Sequence, residues 1–183
     1  LATYFGQQTY VGDNDTIYNQ YKAYKNVTHA CPGSGAQSIE ALEFYAKAYS
    51  GTVYYRLGIY TADGVLVAEG TSQVSMDTTY AWRGYISSGI TWRNEYTSLT
   101  GGVSYKLAYF VGFRSVIGYQ AGTSGDMGYN PGDFSDGMPD PIPTITNSSY
   151  KDMIRCGVDP IIAGSILPLI GHSLGGQCNR MTG

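Results

Sequence analysis

Charged side chains are scarce: they make up 14% of the 183 residues, where soluble domains carry about 25%. Lys and Arg number 11 against 14 Asp and Glu, so the net charge of −3 offers no surplus to hold a phosphate backbone, and nucleic acid is excluded as the expected partner. Histidine is limited to His29 and His172, and cysteine to Cys31, Cys156 and Cys178. No two cysteines form a Cys-x-x-Cys pair, so neither a zinc site from His29, Cys31, Cys156 and Cys178 nor any other metal or cofactor is expected. In an oxidising compartment the odd count leaves one thiol free or paired with another chain, with Cys31, Cys156 and Cys178 as the disulfide candidates. The longest apolar stretch, residues 158–170, is broken by Pro160, Gly164 and Pro168, so no membrane-spanning helix is expected. The opening Leu1-Ala2-Thr3 has no initiator Met, basic segment or signal-type apolar core, and reads as a processed end or a fragment start.

What the chain does have is glycine, 25 residues, and tyrosine, 18 residues. Aromatic and β-branched clusters recur between Gly, Asn, Asp and Ser, the pattern of an all-β sandwich or barrel. Strands are expected over residues 2–11 and 16–28, with a turn at Gly12-Asp13-Asn14-Asp15. Residues 37–49 are ambiguous, since Glu40-Ala41-Leu42-Glu43 favours helix and Phe44-Tyr45 favours strand. The clearest element is a hairpin, residues 53–60 and 65–70 joined through Asp63-Gly64, where glycine accepts the positive φ of a tight reversal. Further strands are expected over 82–86, 91–98 and 103–112, the last with Val103, Tyr105, Leu107, Tyr109 and Val111 on one face and residues 114–120 as its partner. Residues 121–143, crowded with Gly, Pro and Asp, read as a long surface loop.

Motifs of catalysis are weak. Gly171-His172-Ser173-Leu174-Gly175 spells a nucleophile elbow, but only ten residues follow Ser173, with no Asp, Glu or His among them, so no acyl chemistry is expected. Asp126, Asp133, Asp136 and Asp140 lack the spacing of a calcium loop. Glu40, Glu43, Glu69 and Glu95 could line a glycosidase cleft, yet nothing pairs any two of them. Sequons at Asn14, Asn26 and Asn147 mark candidate glycosylation sites and fit an extracellular chain. The tyrosines, with Trp82 and Trp92, suit sugar stacking, a core or a subunit contact.

The strings Tyr55-Arg56-Leu57-Gly58-Ile59-Tyr60, Gly64-Val65-Leu66-Val67-Ala68-Glu69-Gly70, Trp82-Arg83-Gly84-Tyr85 and Leu99-Thr100-Gly101-Gly102-Val103-Ser104-Tyr105-Lys106-Leu107-Ala108-Tyr109 carry a resemblance. Over roughly residues 2–145 the chain resembles jelly-roll surface modules of phage structural proteins and of bacterial and archaeal secreted proteins, which are similar to carbohydrate-binding modules. The resemblance implies a two-sheet antiparallel sandwich, makes residues 37–49 a strand, and implies no catalytic residue.

The expectation is therefore an all-β, antiparallel two-sheet jelly-roll sandwich over residues 1–148, with an extended C-terminal assembly tail over 149–183. Function is expected to be non-enzymatic: a structural subunit at an extracellular, cell or virion surface, contacting copies of itself or sister subunits. Val158, Ile161, Ile162, Ile166, Leu167, Leu169 and Ile170 are its expected assembly residues, because side chains of this kind need covering. A carbohydrate-binding module that holds surface glycans on exposed aromatics ranks second, and a glycan-active enzyme third.

Overall fold

The structure is a computed structural model. It describes residues 1–9, 13–17, 21–25, 27–112, 114–131 and 137–162, with 13–17 and 21–25 described through their backbone. In chain order its strands are β1 (Thr3–Gly6), β2 (Asp13–Ile17), β3 (Tyr21–Lys25), β4 (His29–Ala30), β5 (Ala36–Ala48) and β6 (Val53–Thr61). There follow β7 (Leu66–Gly70), β8 (Val74–Met76), β9 (Ala81–Ile86), β10 (Ile90–Trp92), β11 (Leu99–Thr100) and β12 (Ser104–Val111). The last are β13 (Ser115–Ala121), β14 (Met127–Pro131), β15 (Thr146–Ser148), β16 (Tyr150–Asp152) and β17 (Ile154–Pro160).

They form two antiparallel sheets packed face to face. The first runs β1-β17-β5-β13-β16, with β9 and β11 also on β5 and β2 on β13. The second runs β10-β7-β6-β12-β3-β14-β15, with β4 on β12 and β8 on β6. The ambiguous stretch is strand rather than helix over residues 36–48, and β5 shows why local helical propensity loses here. Gln37, Ile39, Leu42, Phe44, Ala46 and Ala48 are buried, so the period is that of a sheet face. The three-residue step from Ile39 to Leu42 is a bulge: β17 pairs Gly157 with Ala41 and Val158 with Ile39, leaving Glu40 without a partner in that ladder. Between the sheets, Leu42 and Phe44 meet Tyr55, Leu57 and Ile59 of β6 and Tyr105, Leu107 and Tyr109 of β12. The hairpin is as read: Gly64 lies at φ +91, and β6 pairs with β7.

Several expectations are corrected. Residues 16–28 are not one strand: β2 belongs to the first sheet and β3 to the second. The strand expected over 91–98 stops at Trp92, because Asn94 and Glu95 take φ of +49 and +65 and turn the chain. Residues 115–121 do not partner 104–111; the chain crosses from β12 in one sheet to β13 in the other. Val103 is exposed, while Tyr105, Leu107, Tyr109 and Val111 share the inward face as expected. Residues 121–143, expected as a surface loop, contain β14, and the stretch from Met138 to Ile145 covers the outer face of the second sheet. There Met138, Ile142 and Ile145 pack on Tyr60, Leu66, Ala108 and Phe110, and the Tyr60 hydroxyl donates to the Pro139 carbonyl at 2.8 Å.

The sandwich also does not close at residue 148. β16 pairs with β13, and β17 lies between β1 and β5 in the first sheet. Val158, expected in an assembly tail, is 1% exposed in the core, because Ile154, Cys156 and Val158 alternate inward before Pro160 ends the ladder. Among the described residues no helix is long and apolar enough to cross a membrane.

Candidate functional site

Among the described residues, polar and aromatic side chains gather on the outer face of each sheet. On the first sheet, the residues of β5 that alternate with the buried ones are Glu43, Tyr45 and Lys47, and they point outward. Register then decides what joins them. β9 sets Trp82 opposite Tyr45, and β17 sets Arg155 opposite Glu43. Tyr45 stacks on Tyr80 with ring centres 5.4 Å apart and planes within 8°, and meets Trp82 at 5.7 Å. The Arg155 guanidinium lies 3.9 Å from the Trp82 ring centre and 4.4 Å from that of Tyr4, and donates from Nε to Glu43 at 2.9 Å. The Lys47 ammonium sits 4.6 Å from the Tyr80 ring centre. Gly157, opposite Tyr4 on β17, makes room for this row, since a Cβ there would lie 2.9 Å from the Tyr4 ring. The result is a half-exposed strip of aromatic rings interleaved with cations.

On the second sheet, an open cleft of about 360 Å³ lies among Arg56, Glu69, Arg93, Asn94, Gly137 and Asp140. Glu69 of β7 is buried and central: its Oε1 accepts from Arg93 Nε at 2.8 Å and Nη2 at 2.5 Å, and its Oε2 accepts from the Met138 amide at 3.2 Å. Arg56 of β6 reaches the same Oε2 with Nη1 at 3.5 Å. Asp140 accepts from the Leu66 amide at 3.0 Å and from Asn94 Nδ2 at 2.5 Å. The left-handed backbone at Asn94 and Glu95 aims the Asn94 amide back across β7, where Nδ2 also donates to the Leu66 carbonyl at 2.9 Å.

The four glutamates considered from sequence are not assembled into a pair. Glu43 and Glu69 stand on opposite outer faces with the core between them, Glu40 accepts from the Ser38 hydroxyl at 2.8 Å, and Glu95 lies in the turn after β10. Among the described residues no group of His, Cys, Asp and Glu could hold a metal ion. Asp126 accepts from the Thr123 amide at 2.6 Å, a bond that holds its carboxyl below the usual range, and pairs with Lys151 at 3.6 Å. Asp133 and Asp136 lie outside the described residues.

Cys31 and Cys156 are free, buried thiols in one core cluster; Cys178 lies outside the described residues. Burial pushes the Cys31 thiol up to about 11 and raises that of Cys156 well above its ordinary value. Of the expected assembly residues, Ile161 and Ile162 follow β17 and are 47% and 76% exposed. Ile166, Leu167, Leu169 and Ile170, with His172 and Ser173 of the elbow-like string, lie outside the described residues. Asn147 is exposed on β15, Asn14 lies in β2, and Asn26 is outside the described residues. Sequence reasoning missed both the Arg155 row and the Glu69 cleft. The alternation of Glu43, Tyr45 and Lys47 was the one signal for the first.

Comparison of the chain with protein families, with curated proteins and with solved structures finds no match in any of the three.

Proposed function

We propose that this chain is a non-enzymatic structural subunit of the jelly-roll kind, at an extracellular, cell or virion surface, that associates with copies of itself through the outer face of its first sheet. The observation that carries this reading is the strip of Tyr4, Tyr45, Tyr80, Trp82, Lys47 and Arg155. The second sheet has its outer apolar patch covered by Met138, Ile142 and Ile145 of its own chain, whereas this strip stays half-exposed. Tyr, Trp and Arg are the residues that anchor protein interfaces. Glu43 beside Lys47 and Arg155 puts both signs of charge on one face, which lets a two-fold contact complement itself.

The competing reading is a carbohydrate-binding module that uses exposed aromatics. Sugar stacking needs open ring faces, and here neighbouring rings and cations lie over those of Tyr45, Tyr80 and Trp82. The test is light scattering on size-fractionated protein carrying Tyr45→Ser or Trp82→Ser, with glycan retention measured in parallel. Substitution is expected to shift the assembly toward the single chain. A glycan retained by the parent and lost in both variants, with no change in mass, would overturn the reading in favour of carbohydrate binding.

A further inference from the structure

The cleft on the second sheet lies across the core from the proposed association face, and its donors are incompletely used. We propose that it binds a carboxylate, seated between the guanidinium groups of Arg56 and Arg93. A guanidinium has five N–H donors, and polar groups withdrawn from water are nearly always matched. The Arg56 side chain is 18% exposed, and among the described residues none of its nitrogens donates a hydrogen bond; Nε is enclosed, so a ligand in the cleft meets the Nη end, whose one ion pair is the 3.5 Å approach to Glu69.

The carboxylates already present do not fill that need. Both oxygens of Glu69 are engaged, Oε1 twice by Arg93 and Oε2 by the Met138 amide. Both oxygens of Asp140 are engaged by Leu66 and Asn94. Gly137, at φ +74, allows the chain to pass close beside the end of Arg56, since a Cβ there would stand 2.7 Å from Nη1. Arg93, 48% exposed, joins this pocket to solvent.

The class of ligand follows from charge and shape. Two guanidinium groups face two carboxylates, so the cleft holds no positive surplus to favour a doubly charged phosphate. A planar monoanion matches a guanidinium edge with two parallel N–H···O bonds. The carboxylate could belong to a sugar acid or to a plain organic acid.

Titration calorimetry, with the amide spectrum followed in parallel, separates these sources using glucuronate, acetate, glucose and inorganic phosphate as probes. Glucuronate is expected to bind, to move the Met138 amide resonance, and to bind at least about tenfold more weakly to Arg56→Gln, the loss of one charge-assisted bond. Equal binding of acetate assigns recognition to the carboxylate alone, and weaker binding of acetate assigns it to the sugar acid; both support the site. Arg93→Gln, altered at the exposed edge, should weaken binding in the same direction and serves where Arg56→Gln fails to fold. Glucose or inorganic phosphate binding as tightly as glucuronate, no resonance change with either acid, or binding unaffected in the folded variants would overturn the proposal.

Discussion

The Tyr109 hydroxyl on β12 donates a hydrogen bond to the Asp152 carboxylate on β16, joining buried side chains of opposite sheets. Residues beyond 148 are thereby tied into the core, where Ile154, Cys156 and Val158 follow on β17. A chain ending at Tyr150 would lose Asp152 and these side chains, of which Ile154 and Val158 are each worth roughly 1.5–3 kcal/mol of burial. Such a truncation is expected to give no cooperative melt by circular dichroism. A soluble truncated protein that melts cooperatively would contradict the placement of β17.

Removing the Tyr109 hydroxyl alone tests the same joint more gently. Tyr109→Phe deletes a donor to a buried carboxylate, at a cost of about 1–3 kcal/mol. A denaturant midpoint unchanged from the parent would mean that the bond adds nothing.

At the Asp63-Gly64 reversal, Gly64→Val should cost about 1 kcal/mol or more, because φ +91 strains a β-branched residue. At Gly84 the cause is space: a Cβ would stand 1.9 Å from the Leu42 carbonyl oxygen, so Gly84→Ala must push β9 away from β5. Urea unfolding of both variants measures these costs, and parent-like stability of Gly84→Ala would contradict the β5–β9 register.

The buried thiols and tyrosines set an alkaline limit. Burial raises Cys31 from near 9 to about 11, and Tyr55 from near 10 to about 12. The folded state therefore holds these protons more tightly than the unfolded chain, and the stabilisation is complete below the unfolded values. It is lost as pH climbs through the window between the unfolded and folded values. Melting temperature should be flat near neutrality and fall from about pH 9 upward. Iodoacetamide at pH 8 should leave Cys31 and Cys156 unlabelled in the native protein and label both after unfolding. Rapid native labelling at either one would contradict their burial.

The sequence reveals most where local chemistry and global pattern agree. The hairpin through Gly64 is legible because a two-residue turn signal separates two apolar runs. The strand at 36–48 is obscured by Glu40, whose bulge breaks the alternation for one residue. β17 is hard to see in the chain because Val158 runs on into the apolar residues after Pro160, although it packs with Ile154 and Cys156 before it. The covering segment was hidden by its prolines and glycines, among which Met138, Ile142 and Ile145 are too widely spaced to show a period. Neither surface could be read from the chain, since the meeting of Arg155 with Trp82, and of Glu69 with Arg93 and Asp140's loop, is decided by register between distant strands.

Self-association through the first sheet's outer face is tested most directly by sedimentation velocity of the unmodified chain over a dilution series. The account predicts a species heavier than the 19.8 kDa chain that dissociates on dilution. A single 19.8 kDa species at every concentration would contradict it.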